Sequence, residues 1–198
     1  ETWVPLVPRS PIKGDTENVF DVACNERITH VRLRIFPDGG VARLRVHGQA
    51  VPDPALIAAL GTVDLAAIEN GGRVTACSNL FYSSPQNLLL PGPARSMGEG
   101  WETARRRDDG NDWVELALAG PAVVRVAELD TSWFLHNAPG SAALQGRLTD
   151  SEEWRRTPLE PDTRHRFVLP PELPVAQVRM DVFPDGGMAR LRLHGSFA

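Results

Sequence analysis

Between Gly100 and Trp113 the chain brings together the carboxylates Glu102 and Asp112, three consecutive guanidiniums (Arg105, Arg106 and Arg107) and the indoles Trp101 and Trp113. A small polyanion or a ureido compound suits such a set. Arginine holds a carboxylate with paired N–H donors, a carboxylate moves protons or accepts N–H groups, and indoles keep water out. A charged loop whose arginines and aspartates pair with one another has the same composition, so the residues alone leave both readings open.

A second group, Asp130-Thr131-Ser132-Trp133-Phe134-Leu135-His136-Asn137, follows the apolar run Val123 to Leu129. A strand ending in Asp-Thr and running on to His-Asn sets polar groups at the rim of a sheet, with His136 as a candidate acid, base or ligand. A third, Ser78-Asn79-Leu80-Phe81-Tyr82, offers Asn79 and Tyr82 as hydrogen-bond partners, or else an Asx turn with aromatic packing. No HExxH, CxxC or HxH spacing marks a metal site, and no nucleophile elbow or phosphate-binding loop is present.

These groups need a scaffold, and a repeat supplies its outline. Val31 to Gly48 (VRLRIFPDGGVARLRVHG) and Val178 to Gly195 (VRMDVFPDGGMARLRLHG) agree at 13 of 18 positions. Each copy predicts a hairpin: apolar residues alternate with arginines on both sides of Pro-Asp-Gly-Gly, the composition of a turn. Short strands are expected at Val74–Cys77, Val114–Leu118, Val123–Leu129, Ala143–Thr149 and Phe167–Leu169, the pattern of an all-β sandwich or jelly roll. Asp53-Pro54 predicts a helix start, with helix material from Ala55 to Leu60 and a further helical turn at Asp64 to Glu69.

The repeat divides the chain into residues 1–50, the tail of a first unit, a partly helical linker at 51–63, and a complete second unit at 64–198. Equal units imply that roughly 80 residues of the first lie outside this sequence. The chain opens on Glu1, with no initiator methionine and no signal-peptide core, as if it began within a longer protein.

The 198 residues carry 21 basic and 25 acidic side chains, a net charge of −4, which disfavours a nucleic-acid partner. No apolar run is long enough to span a membrane. Two cysteines, Cys24 and Cys77, make no disulfide framework and fit a reducing cytoplasm. Lys13 is the one lysine, so amine chemistry would rest on it alone.

Several motifs together resemble one family. The duplicated Phe-Pro-Asp-Gly-Gly-x-Ala-Arg-Leu-Arg-x-His-Gly is similar to the allantoicase repeat. So are Gly100-Trp101-Glu102-x-x-Arg105-Arg106-Arg107 with Asn111-Asp112-Trp113, and Asp130-Thr131 with Phe134 and Asn137. The opening Leu6-x-Pro8-Arg9-Ser10 with Gly14, Asp15, Asn18 and Phe20 resembles the end of that family's first repeat. The resemblance implies tandem jelly rolls of the galactose-binding type, the first incomplete here. It also implies a homo-oligomeric hydrolase converting allantoate and water to ureidoglycolate and urea in purine breakdown. Some members are described as metal-dependent, while this sequence specifies no cofactor.

On chemical grounds, Glu102 and Asp112 are expected to do the proton work, with His136 as an alternative acid. Arg105 or Arg107 would hold the substrate carboxylate, Asn79 and Asn137 would orient ureido groups, and Trp101 and Asp130 would complete the wall. The rival reading is a carbohydrate- or small-ligand-binding jelly roll that stacks sugars on Trp101, Trp133 and Trp154.

Overall fold

The computed structural model describes residues 3–48, 51–147, 152–170 and 174–198. The chain forms two units, Glu1–Val46 and His47–Ala198.

In the second unit, Asp53 Oδ1 accepts the N–H groups of Ala55 (3.0 Å) and Leu56 (3.4 Å), capping helix α1 (Pro54–Leu60). Gly61 ends it in a positive-φ conformation. The strands that follow are β1 (Val63–Asp64), β2 (Arg73–Cys77), β3 (Trp101–Glu102), β4 (Asp112–Asp130), β5 (Ser141–Arg147), β6 (Glu152–Pro158), β7 (Arg164–Val168), β8 (Val175–Phe183), β9 (Gly187–Met188) and β10 (Arg190–Phe197). Where a helical turn was expected after Asp64, β1 leads instead into a short 3₁₀ turn at Ile68–Asn70.

Strand β4 is the spine of the fold. The two strands expected at 114–118 and 123–129 are one strand of 19 residues. Its first half pairs with β2 and β8, and its second half with β10 and β7. β8 continues outward to β5 and β6, and β10 to β1, so one curled antiparallel sheet folds over its own core. Gly120 and Pro121 lie where β4 leaves one half for the other. A register shift opposite His194/Gly195 changes which side chains face inward, from Val124 to Ala127 and Leu129. Leu65, Leu88, Leu89, Leu116, Leu129, Met180, Leu191 and Leu193 fill the interior.

The second repeat copy is therefore not a hairpin. β8 and β10 pair with different halves of β4 and not with each other, and Pro184 to Ala189 is a crossover between the two halves. Alternating residues and a turn motif predict two strands equally well whether they pair mutually or through a third.

The first copy departs further. Residues 3–48 contain no strand or helix among the described residues. Val31, Leu33 and Ile35 are 44, 48 and 43% exposed, whereas their counterparts Val178, Met180 and Val182 are at 1, 0 and 0%. The guanidinium of Arg32 lies 3.8 Å above Trp3, and those of Arg9 and Arg34 lie at 4.9 and 5.1 Å from Phe36. The turn itself is the same in both copies. Phe36-Pro37 and Phe183-Pro184 are both cis, and Gly39 and Gly186 have φ values of 138° and 130°. No helix among the described residues is long and apolar enough to cross a membrane.

Candidate functional site

The crossover Pro184 to Ala189 gathers the loops that carry the candidate residues. Asp185 Oδ2 accepts the Arg106 N–H at 2.8 Å. Gly186 exchanges hydrogen bonds with Thr103, donating its N–H to Oγ1 (2.9 Å) and accepting from the hydroxyl and from the Thr103 N–H (3.2 Å each). Gly187 donates to Asn137 O at 2.8 Å and pairs with Glu102 across the β3–β9 ladder. Ala189 N–H reaches Asp130 O at 2.7 Å.

Both glycines are required by space. A Cβ on Gly186 would lie 2.7 Å from Asn137 O, and one on Gly187 would enter the Phe134 ring. Gly187→Ala is expected to cost about 1–3 kcal/mol, because the ring it displaces is fully buried. The matching Gly40→Ala meets no atom within 4 Å, so its thermal melt should coincide with that of the unaltered protein.

Glu102 is half-buried and stands where these loops meet. Its backbone exchanges hydrogen bonds with Tyr82 at 3.1 and 3.2 Å. Asn137 Nδ2 donates to Glu102 Oε1 at 2.8 Å and lies 3.4 Å from Met97 Sδ. Glu102 and Asn137 are thus the two expected site residues whose side chains the fold joins directly. The 131–137 loop is held firmly: Trp133, at φ 75°, donates its N–H to Asp162 Oδ1 (2.8 Å) and its indole N–H to Ala94 O (2.9 Å).

Other expected residues turn inward. Asp112 is 0% exposed, and its Oδ1 accepts from Ser78 Oγ (2.8 Å) and Arg106 Nη1 (2.9 Å). A carboxylate enclosed this way has no open edge toward a substrate, which departs from its expected proton-transfer role. Trp101 is fully buried and donates its indole N–H to Asn79 O at 3.0 Å. Asn79 Oδ1 accepts from Phe81 N (2.9 Å) and Ala104 N (3.2 Å), so Asn79 ties two loops together as an Asx turn. Asp130, also buried, accepts the Ser132 N–H at 2.8 Å. His136, Arg105 and Arg107 have exposed side chains. The side chain of Trp154 lies outside the described residues, as do positions 148–149 of the expected strand 143–149.

The central arginine, Arg106, pairs with Asp108 in its own loop and with Asp112 at the start of β4. Arg106 Nε contacts Asp108 Oδ1 at 2.9 Å. That hydrogen bond holds the Asp108 carboxyl below the usual aspartate range, aided by the Gly110 N–H. Its depressed pKa means that the loop contact is complete above the ordinary aspartate value and is lost as pH falls through the lowered one. The Gly110 amide resonance should accordingly titrate with a midpoint below that of an unperturbed aspartate.

No group of three or more His, Cys, Asp or Glu side chains gathers among the described residues. Around Glu102 stand one carboxylate, a carboxamide turned to donate, and a thioether, a set that does not fit a divalent cation. Sequence reasoning missed Met97 and Asp185, and the alternation that sets Arg190 on a polar hairpin face is overturned, because the side chain is buried. The two-copy motif containing Asp185 and Arg190 was the available signal, since a motif repeated in loops as well as core positions does more than pack.

The curled sheet with its end loops defines a jelly-roll β-sandwich. A family 32 carbohydrate-binding module from Clostridium perfringens superposes with a TM-score of 0.55 over 70% of this chain and 97% of its own, at 9% identity, a likeness of fold alone. The allantoicase repeat model matches residues 1–51 and 63–198, and the chain belongs to the allantoicase family. A "Probable allantoicase" of Nocardia farcinica is 60% identical over 98% of this chain. The crystal structure of allantoicase from Saccharomyces cerevisiae is 31% identical, with a TM-score of 0.68 over 75% of this chain and 45% of its own. The chain spans 60% of the length of the Nocardia relative.

Proposed function

We propose that this chain is part of an enzyme that hydrolyses allantoate to ureidoglycolate and urea, with residues 1–50 the tail of a first repeat and 64–198 a complete second one. Kinship to proteins named allantoicase supports the reaction, and the Glu102–Asn137 pair carries the choice of site. Allantoate bears a carboxylate and two ureido groups on one carbon. As the bond from that carbon to one ureido nitrogen breaks, protonated Glu102 gives its proton to the departing nitrogen. Water then adds to the same carbon, and its proton returns to Glu102. Asn137 keeps the carboxyl oriented through Oε1, and among the described residues Oε2 has no protein partner, so it is free for the transfer. In this reading Asp112 positions Arg106 and does not touch substrate. Arg105 and Arg107, at exposed positions after β3, are the candidates for the substrate carboxylate. The enzyme is read as a cytoplasmic homo-oligomer, which light scattering and cell fractionation would test.

The direct test is urea release from allantoate by this chain and by one extended upstream through a complete first repeat. Release by either supports the reading. Silence in both, with the longer chain folded, overturns it and turns attention to glycan binding.

A further inference from the structure

We propose that the groove between residues 87–93 and 95–99 binds a small carboxylate anion, with Arg190 at its base and Arg95 at its rim. The groove, open to solvent, offers about 510 Å³ and is lined by these arginines with Asn87, Pro91, Pro93 and Glu99. That is ample for a ligand of amino-acid size.

The argument rests on an unbalanced buried charge. Arg190 is 3% exposed, and its Nε and Nη1 donate to the carbonyls of Gly92 (3.0 Å), Glu99 and Ala189 (2.7 Å each). Carbonyls satisfy its hydrogens but carry no formal charge. Among the described residues no carboxylate lies within salt-bridge distance of Arg190, and its Nη2 has no acceptor. Burial and the neighbouring Arg192 guanidinium work against its charge, and the Glu99 and Asp130 carboxylates offset them only in part.

The acids nearby are engaged elsewhere. Asp64 meets Arg192 at 3.3 Å. Asp130 is taken by the Ser132 N–H and by Arg164 at 3.6 Å. Glu99, in the groove itself, is held by Arg95 through the backbone N–H (2.9 Å) and the guanidinium (2.6 Å). Arg95 holds Glu99 directly, so the carboxylate offsets Arg190 only in part and a share of the buried charge remains. An uncompensated buried cation is costly, and an anion admitted beside it removes that cost. A carboxylate oxygen can accept from the free Nη2, while Pro91 and Pro93 offer an apolar wall for the rest of the ligand.

The segment 97–99 separates this groove from Glu102: Met97 faces Asn137, whereas Glu99 lines the groove. The inference therefore goes beyond the hydrolytic reading and does not depend on it, and its test reads binding and not turnover.

The probe is N-carbamoylglycine, with its neutral amide as control, titrated into the 198-residue chain at about 20 mM salt to limit screening. Amide NMR shifts should saturate at Gly92, Gly98 and Glu99 for the acid and not for the amide. Arg95→Ala leaves Glu99 to cancel Arg190 and should weaken binding about tenfold or more. Arg95→Ala with Glu99→Ala should restore it, and Glu99→Gln alone, which frees Arg95, should tighten it. Equal binding of the amide, shifts confined to the surroundings of Glu102, or affinities indifferent to the Arg95 and Glu99 variants would overturn the proposal. If the double variant does not fold, the Glu99→Gln result decides: unchanged or weaker binding counts against it.

Discussion

Glu102→Gln is expected to lower kcat/KM for urea release from allantoate at least about 100-fold, the usual loss when a proton-transferring carboxyl becomes an amide. The substitution is nearly isosteric, and the glutamine carbonyl can still accept from Asn137 Nδ2. The backbone pairing with Tyr82 and Gly187 is untouched, so the circular dichroism spectrum and Tm should stay close to those of the parent. Asn137→Asp serves as the companion. It sets a second carboxyl against Glu102 Oε1, now 2.8 Å from an amide donor, and should also depress turnover. If Glu102→Gln leaves kcat/KM within a few-fold of the parent in an enzyme that releases urea, the proton work belongs to another group.

Asp112→Ala should show the opposite profile. It removes the acceptor shared by Ser78 and Arg106 from a fully buried position, where leaving partners unpaired costs about 2–3 kcal/mol. For a protein of this size that corresponds to a fall in Tm of roughly 5–10 °C. Asp112→Asn keeps an acceptor at Oδ1 while losing the charge, so its loss should be smaller. In both variants the fraction that remains folded should turn over allantoate at close to the parental kcat. Differential scanning calorimetry with active-fraction kinetics separates the two effects. A large fall in kcat with Tm unchanged would return Asp112 to the chemistry.

The contrast between these two carboxylates shows where sequence reading stops. Glu102 and Asp112 lie ten residues apart in one charged stretch, and both have the residue type for proton transfer. Their fates diverge because Asp112 begins β4, the strand paired on both edges, whereas Glu102 lies in a two-residue ladder whose partner is the crossover at Gly187. Asn79, Trp101 and Asp130 were drawn inward for a similar reason: each satisfies loop backbone or indole groups that only the assembled loops bring near.

What the sequence determined by itself is local or periodic. The Pro-Asp-Gly-Gly turn takes the same backbone form in both copies, because proline, glycine and their neighbours set φ and ψ over a few residues. The alternation of apolar residues marked the strand segments of the second unit, and the motif set was enough to suggest the family. Tertiary structure decided the rest. It joined two expected strands into β4, sent β8 and β10 to opposite halves of it, and made the repeated arginine Arg190 a clamp on Gly92 and Glu99. Residues 31–46 make the point within the same chain: with the same pattern, they form no strand among the described residues. An extended segment becomes a strand only by hydrogen-bonding to another one, and β4, whose residues pair with those of β8 and β10 about 50 or more positions away along the chain, is not written into either segment.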